Sequence, residues 1–251
     1  MSKKVAILVD GDFFIRCYKS HLKKQFSDKY EDLNPKKLAD NIHTHCLRHI
    51  NKKNDEELYR IFFYDCKPLE RKVHYPYTQE ALDLSKSSTY KERTALHKHL
   101  ISKPCLALRL GYLDEKNAKW VIRDQKKEKK LFKGEIYITD FTNDDFIYHA
   151  KQKGVDIKIE LDIATLALKK LVQKIVLISG DSDFVPAAKL ARVEGIIFTL
   201  DPMGNPVRED LEEHEGIIFT LDPMGNPVRE DLEEHIDYLT TRLPQLRKQQ
   251  Q

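Results

Sequence analysis

Short apolar runs, each closed by a polar turn that carries aspartate, set the rhythm of this chain. The first is Val5–Val9 (VAILV), which runs into Asp10-Gly11-Asp12. Another is Ile175–Ile178 within KIVLISGDSDF, which runs into Ser179-Gly180-Asp181 and then Asp183. Runs this short and β-branched, without polar alternation, read as parallel strands covered on both faces. Leu58–Cys66 (LYRIFFYDC) reads as a further strand carrying Asp65 near its end, and Ile196–Leu200 (IIFTL) as the last. Helical patterns separate them. Phe13–His21 begins one helix, and Asn34-Pro35 places a cap before a first-turn proline and the helical repeat of Leu38, Ile42, Cys46 and Ile50. Gly154-Val155-Asp156 opens another helix, with Asp156 as its expected N-cap. There Ile157, Leu161, Ala164 and Leu168 mark one face, while Ile159, Ile163, Leu166 and Ala167 cover much of the rest. A helix apolar nearly all round is expected to be largely buried. Helix Val185–Val193 precedes the last strand. Strands alternating with helices predict an α/β fold around a mainly parallel sheet.

The middle of the chain is less regular. From Lys67 to Tyr90 the sequence reads as a long excursion with a helix beginning near Tyr90. Leu106–Leu113 and Lys119–Arg123 read as the two strands of a hairpin that turns at Asp114–Asn117. Lys126–Lys133 (KKEKKLFK) reads as a basic loop, either solvated or touching phosphate. Residues 194–214 and 215–235 are identical, with no third copy. A solenoid needs several stacked repeats, so the block reads as a tandem duplication of one strand–turn–helix unit. The first copy is expected to keep the strand, and the second the helix that runs into IDYLTTRL. The surplus strand would lie exposed, extend the sheet edge or pair with another molecule in a homo-oligomer. The expected organisation is a domain over 1–200 with the excursion and hairpin inserted around 67–133, the two copies, and a terminal helix and polar tail over 236–251.

A chain of 251 residues has length enough for a sizeable core. Charged residues make up 33% of it, yet 43 bases nearly balance 40 acids, so any nucleic-acid surface must come from local segregation of charge. The apolar runs are far short of a spanning helix, and the basic start MSKK is followed by too short an apolar stretch for a signal peptide. A soluble, cytoplasmic protein is expected. Cys17, Cys46, Cys66 and Cys105 form no CxxC pair and read as reduced thiols. His43, His45 and His49 share one helix; His45 and His49 are spaced to face one ion, but no acidic partner is evident nearby, so a polar face is expected.

The recurring aspartates carry the candidate chemistry. In open α/β sheets ligands bind beyond the carboxyl ends of the strands, where strand order reverses. Asp10, Asp65 and Asp181 all fall at such ends, and Asp162 sits inside an apolar helix, where a carboxylate needs a partner. Carboxylates gathered together repel one another unless a proton, a base or a cation intervenes. Hard oxygen ligands suit Mg²⁺ or Mn²⁺, which can activate water for in-line attack on a phosphodiester.

VDGDF, KGVDIKIELDIATLAL and ISGDSDFVPAAKLAR, in this order and spacing, resemble the motifs of the NYN domain family, a branch of the PIN-like metal-dependent ribonucleases. The resemblance covers most of Val5–Leu200 and one copy of DPMGNPVREDLEEHIDYL. It implies a three-layer α/β/α sandwich with an acidic pocket that hydrolyses single-stranded or structured RNA. Carried over, Asp10 matches the acid after the first strand, Asp181 and Asp183 the later pair, and Asp156 and Asp162 the helix acids. The resemblance therefore implies catalytic roles for Asp10, Asp162 and Asp181 and a metal held by these with Asp156 and Asp183. Asp12 stands where many relatives have Asn. Substrate contacts are expected from Asp12, Arg16, Lys19, Tyr64, Asp65, Lys67, Arg71, Lys72 and Ser179, with Tyr64, Tyr75 and Tyr77 placed to stack on unpaired bases. Two other readings stay open. Asp10-Gly11-Asp12 also imitates the nucleophile motif of haloacid-dehalogenase phosphatases, and the pocket would equally suit a non-catalytic RNA-binding scaffold.

Overall fold

The computed structural model describes residues 2–26 and 34–205. A six-stranded sheet organises them, in the order β10 (Ile197–Asp201), β9 (Lys174–Ile178), β1 (Lys3–Asp10), β2 (Glu56–Cys66), β5 (Leu106–Leu113), β8 (Gln152–Lys153). Every pairing is parallel except that of β5 with the short edge strand β8. The chain runs outward from β1 through β2 to β5, then returns to the far side of β1 for β9 and β10. Strand order therefore reverses between β1 and β9.

Both faces of the sheet are apolar, and strand alternation divides them. Ala6, Leu8, Phe62, Leu177 and Phe198 pack with Ile159, Ile163 and Leu166 of α5 (Val155–Leu168) and with Ala188 and Ala191 of α6 (Val185–Val193). Val5, Ile7, Val9, Ile61, Phe63 and Val176 pack with α1 (Gly11–Phe26), α2 (Pro35–Leu47) and α3 (Ser88–Ile101). The Asn34 cap forms as expected, its Oδ1 accepting from the Lys36 N–H at 2.9 Å ahead of Pro35. Among the described residues no helix is long and apolar enough to cross a membrane, and all four cysteines are free.

Four sequence expectations are corrected. Leu106–Leu113 does not form a hairpin with Lys119–Arg123: β5 enters the main sheet beside β2, and β6 (Lys119–Ile122) pairs antiparallel with β7 (Phe146–His149). The two runs are adjacent in sequence, but β5 has a larger apolar surface to join. The basic segment is not a loop but α4 (Gln125–Phe132), capped by Asp124. Asp156 is not the N-cap of α5, because Gly154 takes that place with φ of 74°. Nor is α5 buried all round: Ile157, Leu161 and Leu168 are exposed, and the opposite stripe of Ile159, Ile163 and Leu166 is buried. Two apolar faces on one helix leave the sequence unable to say which meets the sheet.

The excursion holds a small ribbon of β3 (Lys72–His74) and β4 (Ala81–Asp83), then α3. The first copy of the duplicated block supplies β10. The second copy, its expected helix and the terminal tail lie outside the described residues.

Candidate functional site

The reversal between β1 and β9 is where the two aspartate turns meet. Val9 pairs with Ile178, so Asp10 and Ser179 leave the sheet side by side. Asp10 shares the parity of Ala6 and Leu8 and so lies on the α5 side. Its Oδ1 accepts the Phe13 N–H at 3.1 Å, closing the turn into α1. Ser179 is buried, and its Oγ accepts the Asp181 N–H at 3.3 Å. Asp181 Oδ1 in turn accepts the Asp183 N–H at 3.1 Å. Both flanking glycines mark close approaches. A Cβ on Gly11 would lie 2.5 Å from the Tyr64 carbonyl oxygen, and one on Gly180 would lie 2.5 Å from the Phe13 ring.

Electrostatics tie α5 into this corner. Asp10 is pushed up to about 6, first by burial and then by the charges of Asp12 and Asp156, against the Phe13 hydrogen bond and Arg16. Asp156, in the first turn of α5, is also raised, by desolvation and then by Asp181 and Asp183, with Lys151 opposing. Five carboxylates from three parts of the chain thus act on one another. Among the described residues none of Asp10, Asp156, Asp181 and Asp183 is in an ion pair with Lys or Arg. The group is open rather than closed, since no three of its oxygens lie within 4.8 Å of one another. Acidic oxygens without an ion-paired base, one of them holding its proton to about pH 6, suit a hard divalent cation such as Mg²⁺ or Mn²⁺.

Several expected residues lie elsewhere. Asp162 faces β2 and β5: its Oδ2 accepts the Tyr64 hydroxyl at 2.8 Å and lies 3.2 Å from Arg109 Nε, whose guanidinium also covers the Phe62 ring. That bond keeps Tyr64 buried, so Tyr64 cannot stack on a base. Asp65 is 1% exposed on the opposite face, taken up by Arg93 Nη1 at 3.0 Å, His97 Nε2 at 2.7 Å and the Cys66 N–H at 2.8 Å. Arg93 also reaches Asp12 Oδ1 at 3.4 Å, and Arg16 holds Asp12 Oδ2 at 3.0 Å. Asp65 therefore joins the acidic corner only through Arg93. Arg71 is spent on the Glu115 carbonyl and Tyr77 is exposed, whereas Lys67 and Tyr75 line a cavity at the end of β2.

The histidine pair has the acidic partner that its own neighbourhood in sequence lacks. His45 and His49 are buried, not a polar face, and both bond Asp201 Oδ2, at 3.0 and 2.9 Å. Asp201 Oδ1 accepts the Met203 N–H at 2.8 Å. Among the described residues this is the one trio of His, Cys or acidic side chains whose ligand atoms come within 4.8 Å of one another. Burial works against the Asp201 charge, but the hydrogen bonds from both imidazoles outweigh it and hold the carboxyl low, while burial lowers His49. An ionised Asp201 that accepts from two buried imidazoles is a structural latch between α2 and β10. Its visible signal was the His45–His49 spacing together with a fourth strand-end aspartate.

Comparison with known proteins gives one family. Residues 94–209 match the NYN domain, a stretch that contains Asp156, Asp162, Asp181 and Asp183 and leaves out β1. Among solved structures the chain matches the crystal structure of a protein of unknown function from Vibrio parahaemolyticus, at 12% identity over 84% of this chain and 87% of that one, with a TM-score of 0.39; that likeness supports nothing further. No curated protein matches.

Proposed function

With residues 94–209 matching the NYN domain as premise, we propose that the protein is a metal-dependent endoribonuclease, cutting RNA at the acidic corner between β1 and β9. The observation that carries this reading is the convergence of Asp10, Asp156, Asp181 and Asp183, none of them ion-paired with Lys or Arg among the described residues, at the reversal of strand order. The reading includes the three-layer α/β/α arrangement, which agrees with an apolar cluster on each face of the sheet.

Asp10, Asp156 and Asp181 would hold a divalent ion, with Asp183 at the rim. When bound, the ion supplies Lewis acidity to a phosphodiester oxygen and makes a nucleophile available at neutral pH. The remaining work falls to the chain. A carboxylate not spent on the ion accepts a proton of the attacking water and orients it in line with the scissile bond. The Asp12–Arg93–Asp65 relay fixes the near end of α3 against that corner and presents a guanidinium where a phosphate would pass. Asp162 we assign to positioning: it holds Tyr64, the neighbour of Asp10 in the sheet register, in place.

The test is cleavage of labelled single-stranded RNA by wild type and Asp181→Asn, with Mn²⁺, Mg²⁺ or EDTA. Cleavage that needs the metal and disappears in the variant supports the nuclease. Binding of RNA without cutting under every metal condition would overturn it in favour of a scaffold. Phosphate release from small esters, with an aspartyl-phosphate trapped on Asp10, would overturn it in favour of the phosphatase.

A further inference from the structure

Beside the acidic corner, the excursion between β2 and α5 encloses a cavity of about 500 Å³, within the usual range of small-ligand sites, about 300–1,000 Å³. It lies past the carboxyl ends of β2 and β5, between the first turns of α3 and the β6–β7 ribbon. One wall is aromatic. Trp120 packs on Tyr75 with ring centroids 5.0 Å apart and on Tyr148 at 5.3 Å, the latter being its cross-strand partner. All three rings are half-buried, so each keeps surface toward the cavity. The charges on the lining are one-sided: Asp65 and Arg93 are spent on each other, which leaves the cations Lys67 and Arg123.

Stacking surface with a cationic lining is the combination that takes an aromatic ring bearing phosphate. Arg93 belongs to both places, lining the cavity and bonding Asp12, so an occupant would sit next to the bond being cut. We propose that this cavity binds one unpaired nucleotide of the RNA strand, its base against the Tyr75–Trp120–Tyr148 wall and its phosphate on Lys67 and Arg123. The choice of RNA as the strand rests on the nuclease reading; the nucleotide chemistry rests on the cavity itself. A base already paired in a duplex cannot enter, so the cavity makes the protein a reader of single strands.

Trp120 is the only tryptophan in the sequence, so its fluorescence reports the site directly. Full-length Asp181→Asn protein in EDTA is titrated with nucleoside 5′-monophosphates, the matching nucleosides, inorganic phosphate, and a short RNA as single strand and as duplex. The expected result is a saturable change with nucleotide and single strand, and none with phosphate or duplex. Tyr75→Ala weakens single-strand binding about tenfold. Arg123→Gln, at an exposed position that serves as the second variant should Tyr75→Ala fold poorly, weakens the nucleotide and spares the nucleoside. No saturable change with any nucleotide or single strand, or a change that phosphate alone reproduces, would overturn the proposal. The readout needs neither metal nor turnover. RNA cleavage by the wild type without this signal would therefore sink the cavity alone, and the signal without cleavage would sink the nuclease alone.

Discussion

Replacing Asp10 by Asn separates the stability of the fold from the chemistry proposed for it. Burial, then the nearby charges of Asp12 and Asp156, lifts the Asp10 carboxyl from 3.8 to about 6. Between those values the folded chain keeps a proton that the unfolded chain has released. Stability therefore falls as pH rises through this window, and the loss is complete above about pH 7. The rise from 3.8 to about 6 sets an upper bound of about 3 kcal/mol, reduced to roughly 2 by solvent at the open side of the site. Asn keeps the shape and an oxygen for the Phe13 N–H while removing the charge. The variant should thus be more stable than wild type by about 2 kcal/mol near pH 7.5 in EDTA, or roughly 4–8 °C in Tm for a chain of this size, with the gap closing toward pH 4. Saturating Mn²⁺ at about 100 times its Kd should return about 2.7 kcal/mol to wild type and little to the variant. Thermal melts of both proteins at several pH values, with and without Mn²⁺, check this. A variant less stable than wild type at neutral pH, or one that Mn²⁺ stabilises equally, would refute the claim that Asp10 sits uncompensated in a cation site.

The latch behaves in the opposite sense: Asp201→Asn leaves a buried imidazole N–H without its acceptor and should cost about 2–4 kcal/mol, read as a lower urea midpoint at unchanged slope. In wild type, burial keeps His49 neutral in the fold, so stability should begin to fall as pH drops through about 6.5, the unfolded value; because Asp201 is held low, a second loss should start below about pH 4. The second loss should be absent from the Asn variant in acid titrations followed by circular dichroism. Gly180→Ala places a methyl group 2.5 Å from the Phe13 ring and should cost about 1–3 kcal/mol while weakening Mn²⁺ binding, since the Asp181 turn must shift. Tyr64→Phe removes one hydrogen bond from Asp162 and should cost about 1 kcal/mol with cleavage largely kept; a loss of cleavage as large as that of Asp181→Asn would return Asp162 to the chemistry.

The strands and the acids at their ends were legible because each depends on a local pattern: an unbroken β-branched run, then a turn that needs a small residue. Gly11 and Gly180 show the cause, since in both turns the backbone runs too close to a neighbour to admit a side chain. The helix face of α5 was not legible, because its apolar residues surround the axis and only the sheet decides which stripe is covered. Nor were the partners of β5 and β6, whose choice depends on surfaces made by residues far along the chain. Arg93 and His97 are the partners of Asp65, and their signal in the sequence is a cation and an imidazole one turn apart on α3.

Position at a strand end gathers Asp10, Asp65 and Asp201 into one class, but alternation along each strand sends them to opposite faces. Asp10 follows Ala6 and Leu8 toward α5; Asp65 follows Ile61 and Phe63 toward α3, where Arg93 and His97 meet it. On β10, Phe198 and Leu200 take the α5 side, which leaves Asp201 on the side of α2, with His45 and His49. The acids on the α2–α3 face find imidazole and guanidinium donors and become structural. Asp10 turns to the face where α5 offers another carboxylate, Asp156, and there the acids outweigh the distant charges of Arg16 and Lys151, with no ion pair to Lys or Arg among the described residues. Whether the acid shares the parity of the strand residues packed on α5 or of those packed on α2 and α3 decides whether a strand-end aspartate is left for a cation or holds the fold together.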